Sequence, residues 1–449
     1  MFSNKYFFLK ILVICSISLS FFLGYFLREN ATGGGLEFYK LSWPIIQSLK
    51  KDFFFTINNY ATFGDGTIPF SHIINAYLNP FSNVDAHLQL FTTLLSFLIF
   101  LIFAAIFKKN FNKINFIDIL LTSSVILILP FYRTSAFWGK NENYGWLFFI
   151  IALYFFFEIK KSLNEAPNNR EIFKIFLFCF TSACALYARQ ALIFLPISYL
   201  LYLLINNSHK KIILISLFFF FIFAIPGILL FITWGGLYDV NNLDSNTFYG
   251  EWIHPKYIFQ SMPIILSFFG FYLLPILIIE FFHTNYKIFF KKYLKNFIFI
   301  LLFFIFLYQI NLLSYLGNFI QGGGAILKLN YLIQKNNYFL FLIFSSIGFS
   351  ILISFFREEK NNIIILLPML LIYSFRNPYL QYQEYYEPLI LVIFFLILKT
   401  NLHKIYLKNI SFSNFILLSY FGIYLFGSIY FKHFIFDSLE KWKIFLNVQ

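Results

Sequence analysis

The apolar residues of this chain fall in separate blocks of about twenty, the length a helix needs to cross the hydrocarbon core of a bilayer. Only helices and closed barrels satisfy their backbone there. Barrels read as alternating strands of about ten residues, and these blocks do not alternate. The chain of 449 residues is 59% hydrophobic and carries 70 Phe, so no polar stretch is long enough to hold a dispersed soluble domain. The expected fold is all-α: one polytopic membrane domain over 1–449 with about thirteen transmembrane helices. The spans fall near 6–27, 88–107, 115–131, 144–158, 172–187, 190–205, 212–233, 261–282, 297–316, 337–356, 361–375, 386–399 and 412–431.

The formal charge is +14. Lys and Arg collect in short gaps, in nearly every second one: "KKNFNKIN", "IKKSLNEAPNNR", "NNSHKK", "HTNYKIFFKKYLKN", "REEKNN" and "KTNLHKIYLK". That is the positive-inside pattern, not a nucleic-acid patch. The intervening gaps, 28–87, 132–143, 234–260, 317–336 and 376–385, are then expected to face outward. "FFLGYFLREN" offers no small-residue cleavage site, so the first block reads as a retained span. Cys15, Cys179 and Cys184 lie inside apolar blocks and read as packing residues, with no disulfide or metal thiolate expected. Abundant Phe, Ile, Lys and Asn suggest an AT-rich genome, which points to a bacterial inner (cytoplasmic) membrane.

The longest outer gap is the first, 28–87. Within it Leu41, Ile45, Leu49 and Phe53 recur every fourth residue, with polar residues between, so 43–53 reads as an amphipathic surface helix with Pro44 in its first turn. A second apolar-polar stretch, "IPFSHIINAYLNPF", follows.

Charge is scarce on the expected outer face. Glu37 stands alone after the run Gly33–Gly35, which lets the backbone bend and approach a ligand; the plain alternative is a solvated loop acid. Asp65 sits in "GDG", a turn, and His72 on a short apolar helix. The second outer gap packs Arg133, Lys140, Asn141, Glu142 and Asn143 more densely than topology requires. Arg189 and Gln190 occupy a very short outer turn. An Arg at membrane depth is costly and marks function unless it snorkels. "SFRNPYLQYQEYYEPLI" adds Arg376, Glu384, Tyr385 and Glu387. "GNFIQGGGAILK" reads as a flexible loop suited to a lid. No GxGxxG, Walker A, HExxH or GxSxG is present, and the inner gaps are too small for a nucleotide sugar.

This layout resembles the GT-C superfamily of polytopic glycosyltransferases, such as the protein O-mannosyltransferases and lipid A aminoarabinose transferases. The shared features are a span, a long outer loop opening with an acid (Glu37, then Tyr39), surface helices, and a second outer loop with another acid (Glu142). The chain departs from the pattern in three places: one acid rather than a pair after the first span, a single Pro69 where paired prolines are common, and Glu142 where Asp is frequent.

The resemblance implies transfer of a sugar from a polyprenyl-phosphate donor to a glycan, lipid or protein acceptor at the outer face. Glu37 is then the catalytic base. Arg189, with Arg133, Lys140 and Arg376 behind it, would hold the donor phosphate. Tyr39, Asp65, His72, Asn143, Gln190, Glu384 and Tyr385 would contact substrate. If a divalent cation such as Mg or Mn takes part, Glu142 is its expected ligand. Two other readings remain open: a polysaccharide polymerase or O-antigen ligase, and a flippase or transporter, which more often shows repeated halves.

Overall fold

The computed structural model describes residues 2–31, 33–64, 67–236, 257–310, 313, 324–333, 339–378, 381–435, 438 and 440–441. Among them every regular element is helical. Among the described residues eight helices are long and apolar enough to cross a membrane, or ten if each of two bent pairs counts as one span. The chain therefore has the make-up of a polytopic membrane protein.

In chain order the structure begins with α1 (Phe2–Phe26), the one-turn α2 (Gly34–Glu37), α3 (Trp43–Lys51), α4 (Phe53–Asn58) and α5 (Phe70–Ile73). Then come α6 (Asp85–Asn110), α7 (Phe116–Ser123), α8 (Pro130–Phe137), α9 (Asn141–Ile159) and α10 (Asn169–Ala188). The middle holds α11 (Phe194–Ile205), α12 (Lys210–Trp234), α13 (Ile258–His283), α14 (Tyr286–Gln309) and α15 (Gly324–Ile333). The last are α16 (Phe339–Glu358), α17 (Lys360–Ser374), α18 (Leu389–Leu396), α19 (Asn401–Lys408) and α20 (Ile410–Tyr430).

The described parts of the thirteen segments expected from the sequence lie largely on helix, but only eight described helices, or ten with the two bent pairs, are long and apolar enough to cross a membrane. The segment 115–131 ends in a bend of 71° between Phe116–Ile128 and Pro130–Phe137. Leu129 is extended there (φ −77°, ψ 121°), because the ring of a following proline disfavours helix in the residue before it. The segment 386–399 bends by 81° before Asn401, where the Thr400 hydroxyl caps a new helix by accepting from His403 N at 3.0 Å. Segments 190–205 and 361–375 are short apolar helices, Gln190–Ile205 and Lys360–Ser374. Segment 297–316 begins within α14 and runs into residues outside the described ones.

Local chemistry sets many of the boundaries. Asn168 and Glu171 form a reciprocal capping box at the start of α10 (Glu171 N to Asn168 Oδ1 3.0 Å, Asn168 N to Glu171 Oε2 2.9 Å). Asn115, His209 and Asn285 cap α7, α12 and α14. Gly235, at φ +71°, ends α12. Within α12 Pro226 removes one backbone donor. The Tyr187 hydroxyl enters beside it, donating to Phe223 O and accepting from Gly227 N at 3.0 Å.

The chain groups into two compact units, one of Met1–Ala31, Phe103–Arg133 and Glu251–Gln449, the other of Thr32–Ile102 and Thr134–Gly250. In the first unit α13 and α16 meet at glycines. A Cβ on Gly270 would lie 2.0 Å from Phe344 O, and one on Gly348 2.0 Å from Leu266 O, so the two backbones touch. α1 is fixed by polar contacts: Lys10 Nζ lies 2.6 Å from Asp118 Oδ1 and donates to Ser411 Oγ at 2.9 Å.

In the second unit the expected surface helix forms as α3, with a proline in its first turn. Ile45, Ile46 and Leu49 are fully buried, each contributing roughly 1.5–3 kcal/mol. The helix stops at Lys51, earlier than the expected 53. Asp52 is extended and its carboxylate caps α4 by accepting from Phe55 N at 2.9 Å, so Phe53 leaves the apolar face and is exposed. The Trp234 indole at the end of α12 donates to Ile57 O at 3.0 Å and stacks on Tyr60 at 5.7 Å between centroids. Cys179 and Cys184 are buried on α10, as expected of packing residues, whereas Cys15 on α1 is exposed and does not pack inside the described protein.

Candidate functional site

The second unit gathers charge on one short segment, Lys140 to Glu142. Gly139, at φ +62°, turns the chain into it. A Cβ there would come within 3.2 Å of Leu88 and 3.7 Å of Phe38. Lys140 is the N-cap residue of α9, with extended backbone (φ −71°, ψ 157°). Its Nζ lies 2.7 Å from Glu37 Oε2; the lysine side chain is 4% exposed and the glutamate 47%. Glu142, in the first turn of α9, receives Arg189 Nη1 at 2.9 Å, and both side chains are buried. Each charge suits its helix end. Glu142 stands at the positive N-terminus of α9, and Arg189 follows α10, whose C-terminus is negative. Gly145 allows the approach, since its Cβ would sit 3.0 Å from Arg189 Cβ. Four charges from three of the gaps between apolar blocks therefore form two adjacent ion pairs.

The glycine run before Glu37 acts differently from the expected approach to a ligand. Gly33 takes φ +81°, while Gly34 and Gly35 press on Trp138; a Cβ on Gly35 would meet its ring at 3.0 Å. The turn carrying Glu37 is thereby seated on the segment that carries Lys140.

The other expected substrate contacts in this unit are spread around the pairs. Tyr39 donates to Asp85 Oδ2 at 3.0 Å, and His72 and Asn143 are more enclosed. His72 Nδ1 is 2.8 Å from the Tyr60 hydroxyl, and Asn143 Nδ2 donates to Ser96 Oγ. Gln190 opens a 3-10 turn, Gln190–Ile193, straight after Arg189. Asp65 lies outside the described residues.

The remaining candidates belong to the first unit. Arg133 is held by Glu29 through two contacts of 2.7 Å, and by Leu127 O, Ser20 O and Ser20 Oγ at 2.7–3.2 Å. A guanidinium has five N–H donors, and these contacts use them all. The surroundings of Arg133 thus suit helix anchoring, not the expected grip on a phosphate. Arg376 stacks on Tyr385, its Cζ 4.2 Å from the ring centroid. Glu384 is buried in the turn Gln383–Tyr385. Glu387, singled out at the mouth of a span, is a buried acceptor. Its Oε1 takes Phe131 N (2.8 Å) and Tyr132 N (3.0 Å) at the start of α8, and its Oε2 takes the Tyr272 hydroxyl. Residues 317–323 of the expected lid lie outside the described residues, and Gly324–Ile333 is helix.

Glu142 has Arg189 on one carboxylate oxygen, and Lys140, two residues earlier, meets Glu37. Among the described residues no group of three or more His, Cys, Asp or Glu is placed to share a metal ion. These donors suit an anion better than a divalent cation, and nothing below is routed through a metal.

Sequence reading missed Glu29, Asn75, Ser96 and Tyr144. Glu29 was not singled out, and its partner lies 104 residues away. Asn75, Ser96 and Tyr144 carry no charge and sit among apolar residues, where a single amide or hydroxyl leaves no pattern. No protein-family model matches this sequence, and no curated protein matches it either.

Proposed function

We propose that this chain is a membrane glycosyltransferase of GT-C layout, with about thirteen spans. It moves a sugar from a polyprenyl-phosphate donor to an acceptor hydroxyl or amide at the outer face of a bacterial inner membrane. The observation that carries this reading is the pair of adjacent ion pairs, Glu37 with Lys140 and Glu142 with Arg189, drawn from three separate outer gaps.

Glu37 is the half-exposed member and takes the proton from the acceptor hydroxyl. Lys140 beside it orients that carboxylate. The acceptor oxygen bonds to the anomeric carbon as the bond from that carbon to the phosphate oxygen breaks. The electron pair leaves with the lipid phosphate, and Arg189 offsets the growing negative charge. Glu142 holds Arg189 in place until the phosphate arrives. Arg189 is buried, so its attraction for an anion is screened less than at an open surface.

The test is donor depletion by the purified protein in nanodiscs, using lipid-linked sugars. Consumption of a polyprenyl-phosphate sugar, lost in Glu37→Gln with donor binding retained, is the expected result. Consumption of polyprenyl-diphosphate oligosaccharides alone would make the chain a polymerase or ligase. Movement of the donor across the bilayer with its sugar–phosphate bond intact would make it a flippase. Full turnover in Glu37→Gln removes the proposed base.

A further inference from the structure

Directly beyond Glu142 the second unit holds a run of buried, uncharged polar side chains. Asn143 Nδ2 donates to Ser96 Oγ, and the Tyr144 hydroxyl donates to Asn75 Oδ1. Asn75 and Ser71 are four residues apart, on one face of the short helical stretch 70–78. Gln89 and Ser96 are seven apart on α6, on the stripe whose Thr92 donates to Ala136 O at 2.9 Å. Ser71, Asn75 and Asn143 are wholly buried, and Gln89 nearly so.

Four atoms of this run find no hydrogen-bond partner among the described residues: Ser71 Oγ, Asn75 Nδ2, Gln89 Nε2 and Asn143 Oδ1. A buried polar group left so costs about 1–3 kcal/mol. Four on segments tied together by the Asn143–Ser96 and Tyr144–Asn75 bonds call for missing partners. The set has amide donors, an amide acceptor and a hydroxyl that serves as either. A sugar hydroxyl, which donates and accepts at once, matches that mixture. A carboxylate or ammonium on the sugar would meet no counter-charge in the run itself.

The geometry points to a hydroxyl-binding row, formed by Ser71, Asn75, Gln89 and Asn143, that receives an uncharged sugar. The inference rests on the transferase reading above and narrows its substrate to a neutral glycosyl donor.

The test measures binding apart from turnover, on the full chain in detergent. The probes are polyprenyl phosphates bearing a neutral hexose, a uronic acid or an aminopentose. The neutral donor is expected to bind tightest. Gln89→Leu and Ser71→Ala should each weaken it about tenfold, the worth of one buried hydrogen bond. Neither should lower the melting temperature, because neither removes a bond that the described protein makes. Unchanged affinity in both variants overturns the row, leaving those atoms to ordered water. A preference for either charged sugar overturns it too, as does a wild-type protein that binds none of the three. Turnover in the same preparations separates the two ideas. A neutral donor bound through the row but never consumed sinks the transferase and spares the row. Consumption with affinity unmoved by both variants does the reverse.

Discussion

Lys140 Nζ and Glu37 Oε2 stand 2.7 Å apart, joining the gap 28–87 of the sequence to the gap 132–143. The two partners are unequal: the lysine is enclosed and the glutamate half open. Losing Glu37 takes the counter-charge from a buried ammonium, but glutamine keeps an acceptor oxygen beside it, so Glu37→Gln should cost about 1–3 kcal/mol. It should lower the melting temperature modestly while cutting transfer by about 10²–10⁴-fold, the usual share of a general base. A parallel loss of folding and activity would show a structural acid instead.

Glu142 and Arg189 make the opposite case, because both are buried. Removing one partner strands the other charge, at about 3–5 kcal/mol. Arg189→Met and Glu142→Gln should each unfold the protein at markedly lower temperature. The double variant should recover much of the loss. Additive losses in that thermal cycle would mean that the two side chains do not depend on each other.

Lys328 supplies a pH signature. It lies on α15 with its Nζ 5.7 Å from the centre of the Phe131 ring and 5.5 Å from that of Phe431. Burial, then the charge of Lys432, pulls its ammonium from 10.5 to about 8, against the opposing pull of Glu387. Between those values the unfolded chain binds more protons than the folded one, so stability rises with pH from about 8 to 10.5. The whole gain is about 3 kcal/mol at 1.36 kcal/mol per pH unit. Melting temperatures of wild type and Lys328→Met across that window should differ in slope. Parallel curves would place the titration elsewhere.

The glycine contact between α13 and α16 gives a packing test. An added methyl at Gly270 or Gly348 has a carbonyl oxygen 2.0 Å away, so the helices must part. Gly270→Ala should cost about 1–3 kcal/mol or more, the usual range for overpacking. Gly422→Ala has open space and should be silent. Equal melting temperatures for the two variants would contradict the close contact.

Much of this was legible in the chain. The apolar blocks marked the helices, because the bilayer imposes one length on every crossing. Pro44 and the four-residue spacing after Leu41 marked α3, and the density of charge from Arg133 to Asn143 marked the site segment. Other features left weaker traces. The halt at Asp52 depends on one side chain choosing a backbone N–H over the helix. The bend before Pro130 came inside a run that reads as apolar throughout. The sign of each charge was visible, but its partner was not. Arg133 and Arg189 look alike in sequence, yet one clamps a helix through Glu29 and the other meets the acid at the start of α9.

The anchoring of α1 has a consequence for biogenesis. That helix is 11% buried over its most apolar window, and its polar ties run to Asp118, Arg133 and Ser411. Translation proceeds from the N-terminus, so Lys10 has no counter-charge from this tie until Asp118, 108 residues further on, has been made. A stalled nascent chain ending before Asp118 should leave the first helix drifting alone in the lipid.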